Sequence, residues 1–218
     1  HPVRAALARP VESALDARGQ ALVAFPGGNT PKPILEKLAQ APLRWKGVTI
    51  IPTDERLVPV SDPLSNVAML AKIFLPKGAR VLPLNSEAAD YKLAGSAANA
   101  RLSDLHWPLD LVWLGMGADG HTASIFPGSD YEEALNPAKG VRAIGVRPDP
   151  FPPEAPVDRV TLTVPAIVEA RTTMLVINGA EKQQVLEQAI EEGKKSAYPV
   201  GRVIDALTVP VDIYCLSV

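Results

Sequence analysis

Short apolar runs alternate along the chain with longer stretches of helical periodicity. Ala21–Phe25 (ALVAF), Val48–Pro52 (VTIIP), 109–114, 141–146, 160–164 and 174–177 are mostly continuous in apolar residues and rich in β-branched ones. Strands buried on both faces of a sheet have this pattern. Between them, residues 3–17, 34–41, 65–74, 87–105 and 181–192 carry apolar positions at helical spacing. The alternation predicts an α/β fold, a three-layer α/β/α sandwich around a mostly parallel central sheet, Rossmann-like in general plan. Val211–Leu216 (VDIYCL) reads as a last strand at the sheet edge. Residues 147–158 hold five prolines, which predicts a stiff loop too short to link two domains. The 218 residues therefore read as one domain with a substantial core.

Composition narrows the function classes. A net charge of −2 gives no electrostatic case for nucleic acid or for an anionic membrane surface. No run approaches the roughly 18 apolar residues of a membrane span, and no secretory signal is visible, so the cytoplasm is the expected compartment. The chain starts at His1-Pro2 and enters a helical pattern at once, which suggests that N-terminal residues are missing. The single cysteine, Cys215, cannot form an intrachain disulfide, and its apolar surroundings (211–218) predict a core position. His1, His106 and His121 are the three histidines, and no H-x-x-x-H or C-x-x-C spacing occurs, so no metal site is expected. Nothing in the pattern speaks to oligomeric state.

The most chemically loaded stretch is LVWLGMGADGHTASIFPG, residues 111–128. A buried strand ends at Gly115, and a turn containing Gly115, Gly117 and Gly120 delivers His121 at the strand's carboxyl end. Open α/β sheets bind ligands there, and a histidine on a glycine-rich turn can approach a ligand closely and titrate near neutral pH. Thr122, Ala123 and Ser124 are expected to open a short helix. Gly115, Gly117 and Gly120 also satisfy G-x-G-x-x-G, the dinucleotide fingerprint. That reading fails on context: the motif lies mid-chain, no acidic residue ends a strand about 20 positions on, and Phe126-Pro127-Gly128 cuts short any following helix.

Other strand ends carry polar residues that a core does not need. After ALVAF comes Pro26-Gly27-Gly28-Asn29-Thr30-Pro31. Two glycines let backbone approach a ligand, Asn29 or Thr30 can cap a helix begun by Pro31 or Pro33, and a helix N-terminus attracts anions. After VTIIP come Thr53-Asp54-Glu55-Arg56, with Ser65-Asn66 opening the next helix. Arg159 precedes one strand and Lys182 follows another; Arg grips phosphate with two parallel bonds and Lys acts as a point charge. Taken singly, each of these segments also suits an ordinary turn or solvated surface charge.

Together they resemble the 6-phosphogluconolactonase family, within the glucosamine-6-phosphate deaminase-like superfamily. PGGNTP, TDERLVP followed by SN, LGMGADGHTASIFPG, DRVTLT and INGAEK occur in the family's order and spacing across roughly residues 20–200. Pro26 stands where many relatives carry Ser. The resemblance implies hydrolysis of 6-phospho-D-glucono-1,5-lactone, a small-molecule phosphosugar lactone, with no cofactor. His121 then exchanges protons with water and the leaving ring oxygen. Asp119 or Asp54 orients its ring, and Arg56 faces the C1 oxygen or nearby hydroxyls. The loop of Gly27, Gly28, Asn29 and Thr30, with Asn66, Arg159 and Lys182, holds the substrate and its 6-phosphate. The deaminase branch of the superfamily needs Asp-Glu-Tyr where this chain has Asp54-Glu55-Arg56, and a Glu where it has Ile125-Phe126-Pro127-Gly128. A catalytically silent phosphosugar sensor is the other rival. A serine hydrolase built on Ser124 lacks both G-x-S-x-G and a second histidine.

Overall fold

Five of the apolar runs pair in parallel as the alternation predicts, because each connection between them is a crossover, most often helical, that returns the chain to the same end of the sheet. In the computed structural model, which describes residues 1–88, 90–128 and 130–217, the chain runs as follows. It passes through α1 (Pro2–Arg18), β1 (Ala21–Phe25), α2 (Pro31–Leu38), β2 (Val48–Pro52), β3 (Asp54–Arg56), α3 (Asn66–Phe74), β4 (Arg80–Val81) and α4 (Tyr91–Leu102). It continues through β5 (Leu111–Leu114), α5 (Tyr131–Leu135), β6 (Ala143–Val146), β7 (Arg159–Leu162), α6 (Val164–Val168), β8 (Thr173–Asn178), α7 (Ala180–Glu192), α8 (Pro199–Ala206) and β9 (Val211–Leu216). Ala89, inside the predicted 87–105 helix, and Val218, the end of the last apolar run, lie outside the described residues.

Among the described residues, six strands form one parallel sheet in the order β4-β2-β1-β5-β8-β9. Successive residues of each strand feed opposite layers. Ala21, Val23, Phe25, Leu111, Trp113, Met174 and Val176 pack beneath α1, α2 and α3. Leu22, Ala24, Val112, Leu114, Leu175 and Ile177 pack against α4, α7, α8 and a second, smaller sheet. Phe25 lies between Phe74, at 5.8 Å, and Trp113, edge-on at 6.2 Å. The three-layer α/β/α sandwich is thus the observed architecture. The order reverses between β1 and β5: the chain first adds β2 and β4 on one side, then β5, β8 and β9 on the other. Loops leaving β1 and β5 splay apart at such a switch point, which is where open α/β sheets form their ligand crevices.

Three expectations need correction. The runs at 141–146 and 160–164 are not in the parallel sheet; they form β6 and β7 of an antiparallel three-stranded sheet in the order β3-β7-β6. The 147–158 connection between them contains no helix, so β7 pairs back antiparallel on β6. A continuous apolar run cannot announce this, because both sheets are covered. Second, Cys215 is exposed rather than in the core: β9 is an edge strand, and Ile213 beside it is also exposed. Third, no helix opens at Thr122–Ser124. Thr122 and Ile125 form an isolated antiparallel bridge, and Ala123 takes a left-handed conformation with φ 49°. The glycine turn therefore lacks the helix on which a dinucleotide pyrophosphate would rest.

No helix among the described residues is long and apolar enough to cross a membrane.

Candidate active site

The loops at the switch point enclose a cleft of about 260 Å³. Gly27, Gly28, Asn29, Thr30, Asp54, Arg56, Asn66, His121, Arg159 and Lys182 all line it. Of the predicted site residues, Asp119 alone is not part of the wall. It stands behind His121 instead, accepting hydrogen bonds from the His121 backbone N–H (3.1 Å) and meeting the ring at Nδ1. Between the two carboxylates considered as partners of the imidazole, Asp119 makes the contact.

The β5 turn places His121 by excluding alternatives. Gly117 donates to the His121 carbonyl (2.9 Å), and a Cβ at Gly117 would sit 2.1 Å from the ring. Only a residue without a side chain leaves room for the imidazole there. Gly120, at φ 81°, accepts from the N–H of Val200 at the start of α8 (3.0 Å), which ties the turn to that helix. Burial raises the Asp119 carboxyl pKa, but the His121 hydrogen bond and charge outweigh it and leave it below the ordinary carboxylate value. An ionised Asp119 accepts from Nδ1–H, which leaves Nε2 as the basic nitrogen.

Asp54 has other partners. It is buried, accepts from the Thr53 hydroxyl (3.3 Å), and is bonded by the Ser124 hydroxyl. The Ser124 N–H donates to the Thr161 Oγ1 at 3.1 Å. Ser124 therefore joins β3, β7 and the His121 turn. Glu55, read from sequence as one of three consecutive ionisable residues, is fully buried. Its carboxylate accepts from the N–H groups of Arg56 (2.8 Å), Asn66 (2.7 Å) and Val67 (2.8 Å) and from the Ser65 hydroxyl (3.1 Å). It thereby satisfies the open N-terminus of α3. Burial pushes its pKa up and those backbone bonds oppose the shift. Asn66 donates to the Asp54 carbonyl (2.8 Å) and packs on Gly27, where a Cβ would lie 1.9 Å from its Oδ1. That contact brings the β1 loop and the start of α3 together.

Three cations, Arg56, Arg159 and Lys182, line the cleft beside two carboxylates, Asp54 and Glu154. Arg56 and Arg159 are direct cross-strand neighbours on β3 and β7, an arrangement that costs energy for like charges. Arg159 is 3 % exposed, donates to the Ala155 carbonyl (2.7 Å), and leaves its Nε without a partner. Burial pulls its pKa down, opposed by the charge of Asp54. Arg56 donates to the Leu64 carbonyl (3.0 Å), and its Nε is also unpartnered. Among the described residues, neither arginine nor Lys182 forms an ion pair within 4 Å. Lys182 lies in the first turn of α7, whose cap Gly179 supplies no side-chain acceptor. Thr30 holds the N-cap position of α2, but its hydroxyl makes no capping bond. Because Pro31 and Pro33 have no N–H, the donors at this helix start are those of the glycine loop and Lys32. Two helix N-termini and three cations thus converge on one cleft, which suits a multiply charged anion.

Sequence reasoning missed several wall residues: Trp113, Asn178 and Glu154. Glu154 belongs to the proline-rich loop, whose composition signals stiffness and not a wall residue. His106 is exposed and lines a different part of the surface. Among the described residues, no three His, Cys, Asp or Glu side chains gather as a metal site would need.

Comparison with known proteins agrees with this geometry. The family model for glucosamine-6-phosphate isomerases/6-phosphogluconolactonase matches residues 1–209. A 6-phosphogluconolactonase of Mesorhizobium japonicum is 38% identical over 205 residues, covering 92% of this chain and 84% of that protein. One of Rhizobium meliloti is 37% identical over 206 residues, covering 93% of this chain and 87% of its own. The crystal structure of a 6-phosphogluconolactonase from Shewanella baltica superposes with a TM-score of 0.91 at 30% identity, over 100% of this chain and 92% of that one. A fold with its crevice at the β1/β5 switch point, a cation-lined cleft and a family match over nearly the whole length place this chain in the glucosamine-6-phosphate isomerase/6-phosphogluconolactonase family.

Proposed function

We propose that the chain is a lactone hydrolase that converts 6-phospho-D-glucono-1,5-lactone to 6-phosphogluconate, a step of the oxidative pentose phosphate pathway. The named activity of the relatives supports this reading. The observation that carries it is the pairing of one histidine, backed by a carboxylate, with three cleft cations that form no ion pair among the described residues.

A lactone is an activated ester. Its hydrolysis needs a water made nucleophilic, a stabilised oxyanion and a proton for the departing ring oxygen. In the proposed reaction Nε2 of His121 takes a proton from water as the water oxygen bonds to C1, and the carbonyl electrons move onto the C1 oxygen. Arg56 stabilises that oxyanion. When the C1–ring oxygen bond breaks, the imidazolium returns its proton to the leaving oxygen. Asp119 keeps the ring in the productive tautomer and favours its charged form. Arg159, Lys182 and the Gly27, Gly28, Asn29 and Thr30 loop hold the 6-phosphate, and Asp54 and Asn66 brace the wall between them. General acid–base catalysis of this kind contributes about 10²–10⁴-fold. We assign the reaction to the cytoplasm, where an exposed thiol such as Cys215 stays reduced.

The test is a hydrolysis assay on freshly generated 6-phosphogluconolactone, corrected for spontaneous opening, beside an ammonia-release assay on glucosamine 6-phosphate. Catalysed hydrolysis without ammonia release is expected. Ammonia release, or phosphosugar binding with no lactone turnover, would overturn the assignment.

A further inference from the structure

Phe126 sits two residues beyond Ser124, behind the cleft wall that His121, Thr122 and Ala123 of the same segment form. It is half-buried, and it belongs to neither of the hydrophobic clusters that fill the two layers. Its ring instead meets two polar groups. The imidazole of His121 stacks on it with centroids 4.3 Å apart and planes 28° from parallel. The guanidinium carbon of Arg159 lies 5.1 Å from the same ring centroid. The backbone under the ring is fixed: Ser124 donates to Thr161 on β7, the strand that begins with Arg159, and Ile125 is fully buried. Pro127 follows and restricts the chain on the other side.

We propose that Phe126 is a shared positioning residue, one aromatic ring holding both the imidazole that moves the proton and the guanidinium that grips the phosphate, so that the two ends of the substrate are registered to each other. The inference deepens the functional reading above and rests on it. Flat stacking restrains the imidazole about its χ2, a torsion that is otherwise broad, while Asp119 holds only one ring edge. A cation over an aromatic face is attracted by the ring quadrupole, which gives the buried Arg159 a partner in place of a carboxylate. A carboxylate in that position would compete with the substrate's phosphate; a neutral ring does not. An aliphatic side chain of similar size would fill the volume but supply neither the flat face nor the quadrupole.

The variants Phe126→Leu and Phe126→Tyr test this in the full chain. With 6-phosphogluconolactone, Phe126→Leu is expected to lower kcat and raise KM, each by roughly 2- to 30-fold, the range that loss of one aromatic contact to a charged group implies. With the dephosphorylated lactone, kcat is expected to fall and KM to stay within about twofold. Phe126→Tyr, which keeps the ring face, is expected to restore both parameters. Proton NMR supplies a readout independent of turnover: the His121 ring protons should be shifted upfield by the ring current in wild type and Phe126→Tyr, and not in Phe126→Leu. A Phe126→Leu variant that only melts at lower temperature, with kcat and KM within twofold of wild type, overturns the proposal; so does a change in one parameter alone. If wild type fails to hydrolyse the lactone, the functional reading falls. The NMR shift and the affinity for 6-phosphogluconate then still decide whether Phe126 holds both groups.

Discussion

One methyl group added at Gly117 strikes the His121 ring and its Asp119 partner while leaving the cations of the cleft in place. Built on the existing backbone, the Cβ of an alanine lies 2.1 Å from Cε1 and 2.3 Å from Nδ1 of His121, and 2.8 Å from the Asp119 carboxylate. Carbon atoms rest about 3.5–4.0 Å apart, so the imidazole must retreat by about 1.4 Å or more. Gly117 is not in the left-handed region. Alanine is therefore compatible with its backbone and even restricts the unfolded chain slightly. The damage should fall on geometry rather than folding. A displacement of ~1 Å at a reacting group costs on the order of 10²-fold, so Gly117→Ala is expected to lose about that factor in kcat. KM for the phosphorylated lactone should change little, since Arg159 and Lys182 are untouched. The assay is initial-rate hydrolysis of freshly generated lactone, minus the spontaneous rate, with a thermal melt on the same samples. A kcat within threefold of wild type at unchanged melting temperature would refute the claim that the turn positions a catalytic imidazole.

Four further outcomes follow from the same geometry. His121→Ala should retain 6-phosphogluconate binding by calorimetry yet lose about 10²-fold or more in kcat. Arg159→Ala and Lys182→Ala should each raise KM by about 10- to 150-fold, the equivalent of a charge-assisted hydrogen bond, with little effect on the dephosphorylated lactone. Asp119→Asn should lower kcat and also reveal the sign of the Asp119 shift. A carboxyl held below its ordinary value stabilises the fold above about pH 4 and loses that contribution as pH falls through its folded value. The gap in melting temperature between wild type and Asp119→Asn should therefore be present at neutral pH and close under acid; it should be small, because solvent screens a side chain that is 57% exposed. Finally, chelator should leave the wild-type rate unchanged, and a rate lost to chelator and restored by zinc or magnesium would reveal a missed metal site.

Much of the architecture follows from local pattern. Ala21–Phe25 is apolar at every position and Val48–Pro52 at all but Thr49, as burial on both faces demands, so strand positions and the three-layer plan are readable directly. His121 stands out because a titratable side chain on a glycine-rich turn after a buried strand has no packing reason to be there. The partition of strands between two sheets is not local. β6 and β7 are buried at every position, as β1 is, and only the helix-free 147–158 connection makes their pairing antiparallel, a matter of how the chain returns rather than of burial. The three-residue strand β3 escaped notice because Asp54, Glu55 and Arg56 look like a solvated loop; tertiary contact buries Glu55 under α3 and sets Arg56 across from Arg159. The choice of Asp119 over Asp54 as the partner of His121 was likewise beyond the sequence, since both are within reach on paper and the direction of each side chain is set by Ser124 and the turn. Periodicity and residue type record which face of each element is buried; which charges face one another depends on strand order and loop path, and these exist only once the chain has closed on itself.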